Sequence, residues 1–150
     1  MTSQHDAAPA AFAGPAPDPA LFDLRDWPLV KVRFPELDEE DRVRRILGGL
    51  ERLLDQEAPF VAIWTPPSHD HDDEPHEDER ASTVWIKQHR DRLNAYCKGY
   101  VYVVADEKLR DLLAGRIVTV SKKLYAFPLK IAETPAEARQ IAASMLGRPA

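Results

Sequence analysis

Apolar and polar residues alternate at period two from Leu29 to Phe34, directly behind Pro28, which predicts a strand starting where a proline is tolerated. The period then lengthens. Val43, Ile46, Leu47, Leu50, Leu53 and Leu54 fall on one helical stripe, so a first helix is expected from a cap at Asp38, with acids in its first turn. Gly48-Gly49 inside that helix permits a close approach to a neighbouring layer. Phe60-Val61-Ala62-Ile63-Trp64 is a compact apolar run bounded by Pro59 and by Pro66-Pro67, as a buried strand requires. From Ser68 to Glu79 there is no periodicity and charge dominates, which predicts a solvated loop.

A second helix is expected from Arg80 or Ser82 to Cys97. Trp85, Ile86, His89, Leu93, Tyr96 and Cys97 then share an arc of about 120° turned toward a sheet, and Gly99 serves as the terminator. Tyr100 to Val104 is β-branched and aromatic, the composition of a central strand. Asp106 can cap a third helix carrying Leu109, Leu112, Leu113 and Ile117, its end blurred by Gly115 and by the β-branched run to Val120. A last strand is expected over Leu124 to Ile131, with Pro128 assigning it an edge or a bulge. Thr134-Pro135-Ala136-Glu137 is a capping box that opens a closing helix through Leu146. Strands alternating with helices imply an α/β fold, with a four- or five-stranded mixed or mostly parallel sheet flanked by helices. Residues 1–22 read as an Ala/Pro-rich disordered leader, and 23–150 as a single domain with an acidic, His-containing loop at 66–80.

Charge sharpens this picture. The formal net charge is −5, but seven of the 25 acidic residues lie between Asp70 and Glu79. Without them 18 acids face 20 Lys and Arg, so the acidity belongs to one segment and the body is near neutral. That body has no strongly basic field, and no nucleic-acid partner is expected. A lone cysteine, Cys97, excludes an intramolecular disulfide framework. Neither a secretory signal pattern nor an apolar run near the ~20 residues of a membrane span is visible, so a cytoplasmic location is expected.

Several residues carry a resemblance. Trp85-Ile86, His89-Arg90, Leu93, Cys97 and Gly99 precede the strand Val101 to Val104, and Phe127-Pro128 precedes Ile131-Ala132-Glu133-Thr134 and Glu137-Ala138. Over residues 28–146 this pattern resembles the SpoIIAA-like, STAS-type family of small bacterial α/β proteins. The resemblance implies a sheet of four or five strands in an α/β sandwich, and it informs the fold more than the function. Members that act as anti-sigma antagonists carry a phosphorylatable serine in an Asp-x-Ser context after a central strand. Here that region reads Ser68-His69-Asp70 and Ala81-Ser82-Thr83, so no phosphoserine switch is carried over.

The candidate chemistry is sparse. His69, His71 and His76, set among Asp70, Asp72, Asp73 and Glu77, have the donor types for a weakly bound divalent metal, though a solvated charged loop needs only the same composition. An acidic loop for a basic partner is a third reading of the same stretch. His89 and Cys97 stand about 12 Å apart along one straight helix, too far for a nucleophile–base pair. His89 reads as a packed core or rim histidine, and Cys97 as a small buried hydrophobe. Lys87, Arg90, Arg92, Lys122 and Lys123 form a possible basic patch. A phosphate loop, a dinucleotide fingerprint, a nucleophile elbow and a Cys-x-x-Cys motif are all missing.

Three function classes follow. The foremost is a non-enzymatic regulatory or protein-interaction module, its surface built from Trp85, His89 and Arg90 on the second helix and Asp72, Asp73 and Glu77 in the acidic loop. A small-molecule or lipid-binding domain is the alternative, and a cavity lined by Trp64, Trp85, Tyr96 or Tyr125 would favour it. An enzyme would need converging acid, base or metal groups, and the pattern offers no catalytic residues and no resident cofactor.

Overall fold

A computed structural model describes residues 12–66 and 75–147, with residues 118–124 described by backbone alone. The chain runs β1 (Phe22–Asp23), β2 (Leu29–Arg33), α1 (Arg42–Leu54), β3 (Phe60–Thr65), α2 (His76–Gln88), α3 (Arg90–Tyr96), β4 (Cys97–Val103), α4 (Glu107–Leu124), β5 (Leu129–Ala132) and α5 (Pro135–Met145). Five strands form one mixed sheet in the order β1-β2-β3-β4-β5. The β1–β2 pair is antiparallel and the three pairs from β2 to β5 are parallel. The expected fold class is the one observed. β5 is an edge strand entered from Pro128, which suits a residue with no N–H to give a ladder.

Parallel neighbours in sequential order need crossovers of one hand, and these carry their helices to one face of the sheet. The two core clusters show the division. Val30, Val32, Phe60, Ala62, Trp64 and Tyr100 point into the larger cluster with Leu50, Leu53 and Leu54 of α1 and Leu93 of α3. The intervening residues Val61, Ile63 and Val101 point the other way, onto Ala138 and Ala142 of α5. Period-two alternation along β3 and β4 thus fills both layers. Gly99, expected as a helix terminator, lies inside β4, where a Cβ would stand 2.3 Å from Met145 Sδ. Its missing side chain lets α5 settle on the sheet.

Four element boundaries differ from the sequence expectation. The first helix begins at Arg42 and not behind Asp38, with Asp41 at its N-cap in the left-handed region (φ 51°). The expected second helix is two helices, and it starts at His76, inside the stretch from Ser68 to Glu79 expected as a loop, of which residues 68–74 lie outside the described residues. Pro75 has extended backbone, and Glu77, Asp78 and Glu79 occupy the first turn of α2, where the helix dipole favours carboxylates. The third helix continues through the β-branched run to Leu124, which confines β5 to Leu129–Ala132.

The Ala/Pro-rich leader is also not wholly separate from the body. Phe12 is buried with its ring edge-on to Trp27 at 5.1 Å, and Leu21 and Phe22 are core residues. Gln56 accepts from the Ala13 N–H and donates to the Ala13 carbonyl, while Arg52 donates to Pro15. Arg52 of α1 and Gln56 just beyond its end therefore satisfy backbone groups that a proline-rich segment cannot pair by itself. Gly49 makes this possible, because a Cβ there would fall 2.0 Å from the Phe22 ring. The close approach expected of the glycine pair thus holds at Gly49, against β1, while nothing crowds Gly48.

Candidate functional site

The site is built around α2, a helix on the outside of the α1–α3 layer. None of its thirteen residues is buried. At 100° per residue, His76, Arg80, Thr83 and Lys87 lie within one narrow stripe, and Asp78 and Trp85 lie on the opposite side. The inward side is held at two points. Near the N-terminus, Arg42 of α1, only 7% exposed, donates to Asp78 at 2.9 Å and to the carbonyls of Pro35 and Glu36, with its guanidinium over the Phe34 ring. Near the C-terminus, half-buried Trp85 stacks on His89, with centroids 4.2 Å apart and planes 18° apart.

His89 is where the expected single helix breaks. Its backbone leaves helical geometry (φ −107°, ψ 11°), and both its N–H and its ring Nδ1–H reach the Trp85 carbonyl, the ring at 2.7 Å. That contact puts a proton on Nδ1. Nε2 faces Glu51 of α1 at 3.4 Å, so the histidine bridges α1 and α2 at the rim of the core. Of the arc expected to face the sheet, only Leu93 and Cys97 are buried, and Trp85, Ile86, His89 and Tyr96 are half-buried.

The outward side is a shallow groove of about 480 Å³, lined by His76, Glu79, Arg80, Thr83, Val84 and Lys87. Val84 is 46% exposed at its middle. Arg80 and Lys87 make no ion pair among the described residues. Arg90, a sequence candidate, is exposed at the start of α3. Glu77 is exposed on the first turn of α2. Asp72, Asp73, His69 and His71 lie outside the described residues, so of the proposed metal donors only His76 is placed, on the groove stripe. No group of three or more His, Cys, Asp or Glu able to hold a metal ion forms among the described residues. Arg80, Thr83 and Val84 were not singled out in the sequence. Their i, i+3, i+4 spacing was legible, but the assignment of an inward face to Trp85 and Asp78 was not.

A second feature lies deeper. Tyr100 sits among Trp64, Phe127 and Tyr125 at ring-centroid distances of 5.3, 4.9 and 5.5 Å. These are contact distances for aromatic pairs, so the four rings pack against one another. Trp85 and Tyr96, which with Trp64 and Tyr125 would line a cavity under the small-ligand reading, lie partly buried at the rim of the same cluster. Burial pushes the phenols of Tyr100, Tyr102 and Tyr125 above the ordinary tyrosine range. Trp64 Nε1 is buried and finds no hydrogen-bond partner among the described residues. Cys97 opens β4, and its thiol, pushed up by burial, points at the Gly99 carbonyl at 3.5 Å. Such a thiol is a poor nucleophile.

Together, fold and face define an α/β domain with a loosely integrated helix carrying a polar groove. Comparisons with protein-family models, with characterised proteins and with solved structures find no match to the chain. Among the described residues, no helix is long and apolar enough to cross a membrane.

Proposed function

We propose that the protein is a non-enzymatic interaction module, of the SpoIIAA-like type that its sequence resembles, which docks a protein partner through the outward face of α2. One observation carries the reading. α2 contributes no buried residue, yet it is fixed in place by Arg42 and by the Trp85–His89 stack, so its outer stripe is a preset surface. A helix face already formed before contact spends less ordering entropy on binding than one that folds on its partner, which favours its use for recognition. Trp85 and His89 then set the pose of α2 and do not touch the partner, whereas Val84 does.

The test is a photo-reactive phenylalanine analogue introduced at Val84 and irradiated in living cells. A discrete protein adduct, missing when the analogue replaces exposed Gln140 on α5, supports docking on α2. Equal labelling from both positions refutes it.

The buried Trp64 N–H, without a partner among the described residues, favours a second reading, a small ligand entering the aromatic cluster beside Tyr100. A ligand accepting that hydrogen bond would raise the melting temperature of the native protein and not of the Trp64→Phe variant. An equal shift in both variants would dismiss this site.

A further inference from the structure

The groove also carries information about the chemistry of what occupies it. We infer that the partner segment is an acidic amphipathic helix, with carboxylates spaced seven residues apart to meet Arg80 and Lys87 and an apolar side chain between them on Val84. This inference rests on the docking role of α2 proposed above.

Arg80 and Lys87 lie seven residues apart on one stripe, about 10 Å along the helix. Val84 stands between them, four residues after the first and three before the second, with nearly half of its surface open. A facing helix repeats on the same period, so an acid at one position, an apolar residue three or four later and a second acid at the seventh match cation, apolar and cation in turn. His76 extends the stripe by one further turn with a group that is cationic when protonated. Neither Arg80 nor Lys87 has an ion-pair partner among the described residues, so the pairing takes nothing from the fold.

Polyanionic nucleic acid fits this surface poorly. Glu79 lies in the groove, Glu77 stands on the same turn, and the chain carries a net charge of −5. A phosphate backbone has no apolar group to place on Val84. A protein helix supplies discrete carboxylates and the apolar contact together. An acidic stretch by itself points to a basic partner, but the described groove sets Arg80, with Glu79 beside it, and Lys87 on either side of Val84, and those two separate cations call for discrete carboxylates.

The experiment uses the Val84 photo-crosslinker in the full chain, alone and combined with Arg80→Glu/Lys87→Glu, and maps the adduct by mass spectrometry. Both reversed residues are fully on the surface, and a thermal melt checks that the fold is retained. Two lost charge pairs should lower the crosslink yield about ten-fold, and raised salt should weaken the original contact. The mapped segment should carry clustered Asp or Glu, and reversing those residues to Lys should restore yield to the charge-reversed protein. An adduct with a segment lacking clustered carboxylates, with nucleic acid or with a second copy of the chain overturns the acidic-helix assignment while leaving α2 as a contact surface. Failure to form any adduct at position 84 overturns the docking role itself.

Discussion

Asp78→Asn tests the attachment of α2 most directly. The substitution keeps volume and removes the charge that pairs with Arg42 at 2.9 Å. Removing one partner of a fully buried pair costs about 3–5 kcal/mol, because the remaining charge is left uncompensated. Two features reduce that here. Asp78 keeps 31% of its side-chain exposure, and Arg42 retains the carbonyls of Pro35 and Glu36 as acceptors. A loss of about 1–2 kcal/mol is therefore expected from the asparagine variant. Arg42→Ala should cost more, since it also strips the Phe34 contact and leaves those two carbonyls without their donor. The double variant should be no worse than Arg42→Ala alone, because the two residues act through one interaction.

The effect should also be local. α2 buries no residue of its own, so it can detach without opening the core. Hydrogen exchange followed by mass spectrometry should show α2 amides exchanging roughly ten-fold faster in Asp78→Asn, with β3 and β4 protected as before. If α2 exchange is unchanged, or if β3 and β4 lose protection in step with α2, the helix is not an independently held element and the reasoning fails.

Other consequences follow from single contacts. Gly48→Ala should stabilise by up to ~1 kcal/mol through helix propensity, whereas Gly49→Ala should destabilise by about 1–3 kcal/mol because its Cβ meets the Phe22 ring, and paired thermal melts decide this. Trp64→Phe should cost no more than about 1 kcal/mol in urea unfolding, since relief of an unpaired buried N–H offsets much of the lost volume. Arg33 and the Glu36 N–H hold the Glu39 carboxyl down at about 2, and Arg25 holds that of Asp23 at about 2. Both groups are depressed, so their stabilisation is full above the ordinary carboxylate values of 4.5 and 3.8 and is lost as pH falls toward 2. Glu39→Gln and Asp23→Asn should each flatten the stability–pH curve in that window alone. Cys97 should resist thiol reagents in the native protein and react at once in denaturant, and rapid native labelling would contradict its burial.

Much of the fold was legible because it rests on periodicity. The stripe from Ile46 to Leu54 and the runs at Phe60 and Tyr100 depend only on which residues need burial, and each appears as the element expected. The misreadings came from interactions that span distance. Nothing local marks Phe12 as a core residue, because its burial depends on Trp27 and on the hydrogen bonds of neighbouring Ala13 with Gln56, some forty residues away. His89 has no helix-breaking propensity, and the break there arises from its ring folding onto Trp85 and reaching Glu51. The acidic stretch hid the start of α2 because charge was read as solvation. A deletion of Ser68 to Glu79 would consequently remove the first turn of α2 and the Asp78 clamp along with the residues before them.

The same accounting explains why α2 is the element available for recognition. The larger core cluster draws on strands, α1 and α3 and the smaller on strands and α5, and α2 adds only the half-buried rims of Trp85 and Ile86, as α4 adds Ile117. A helix of thirteen residues is marginal in water by itself, so α2 owes its order to the Arg42–Asp78 pair and to the Trp85–His89 stack. All four of those groups act on the inner side or at its end. Among the described residues Arg80 and Lys87 on the outer stripe make no ion pair that holds the helix, and they can be chosen for a partner without loss of fold. Binding on that stripe would in turn add to a weakly held helix, so partner affinity and α2 protection should rise together. Asp78→Asn should therefore weaken partner binding without touching the groove, by lowering the fraction of molecules in which α2 is docked.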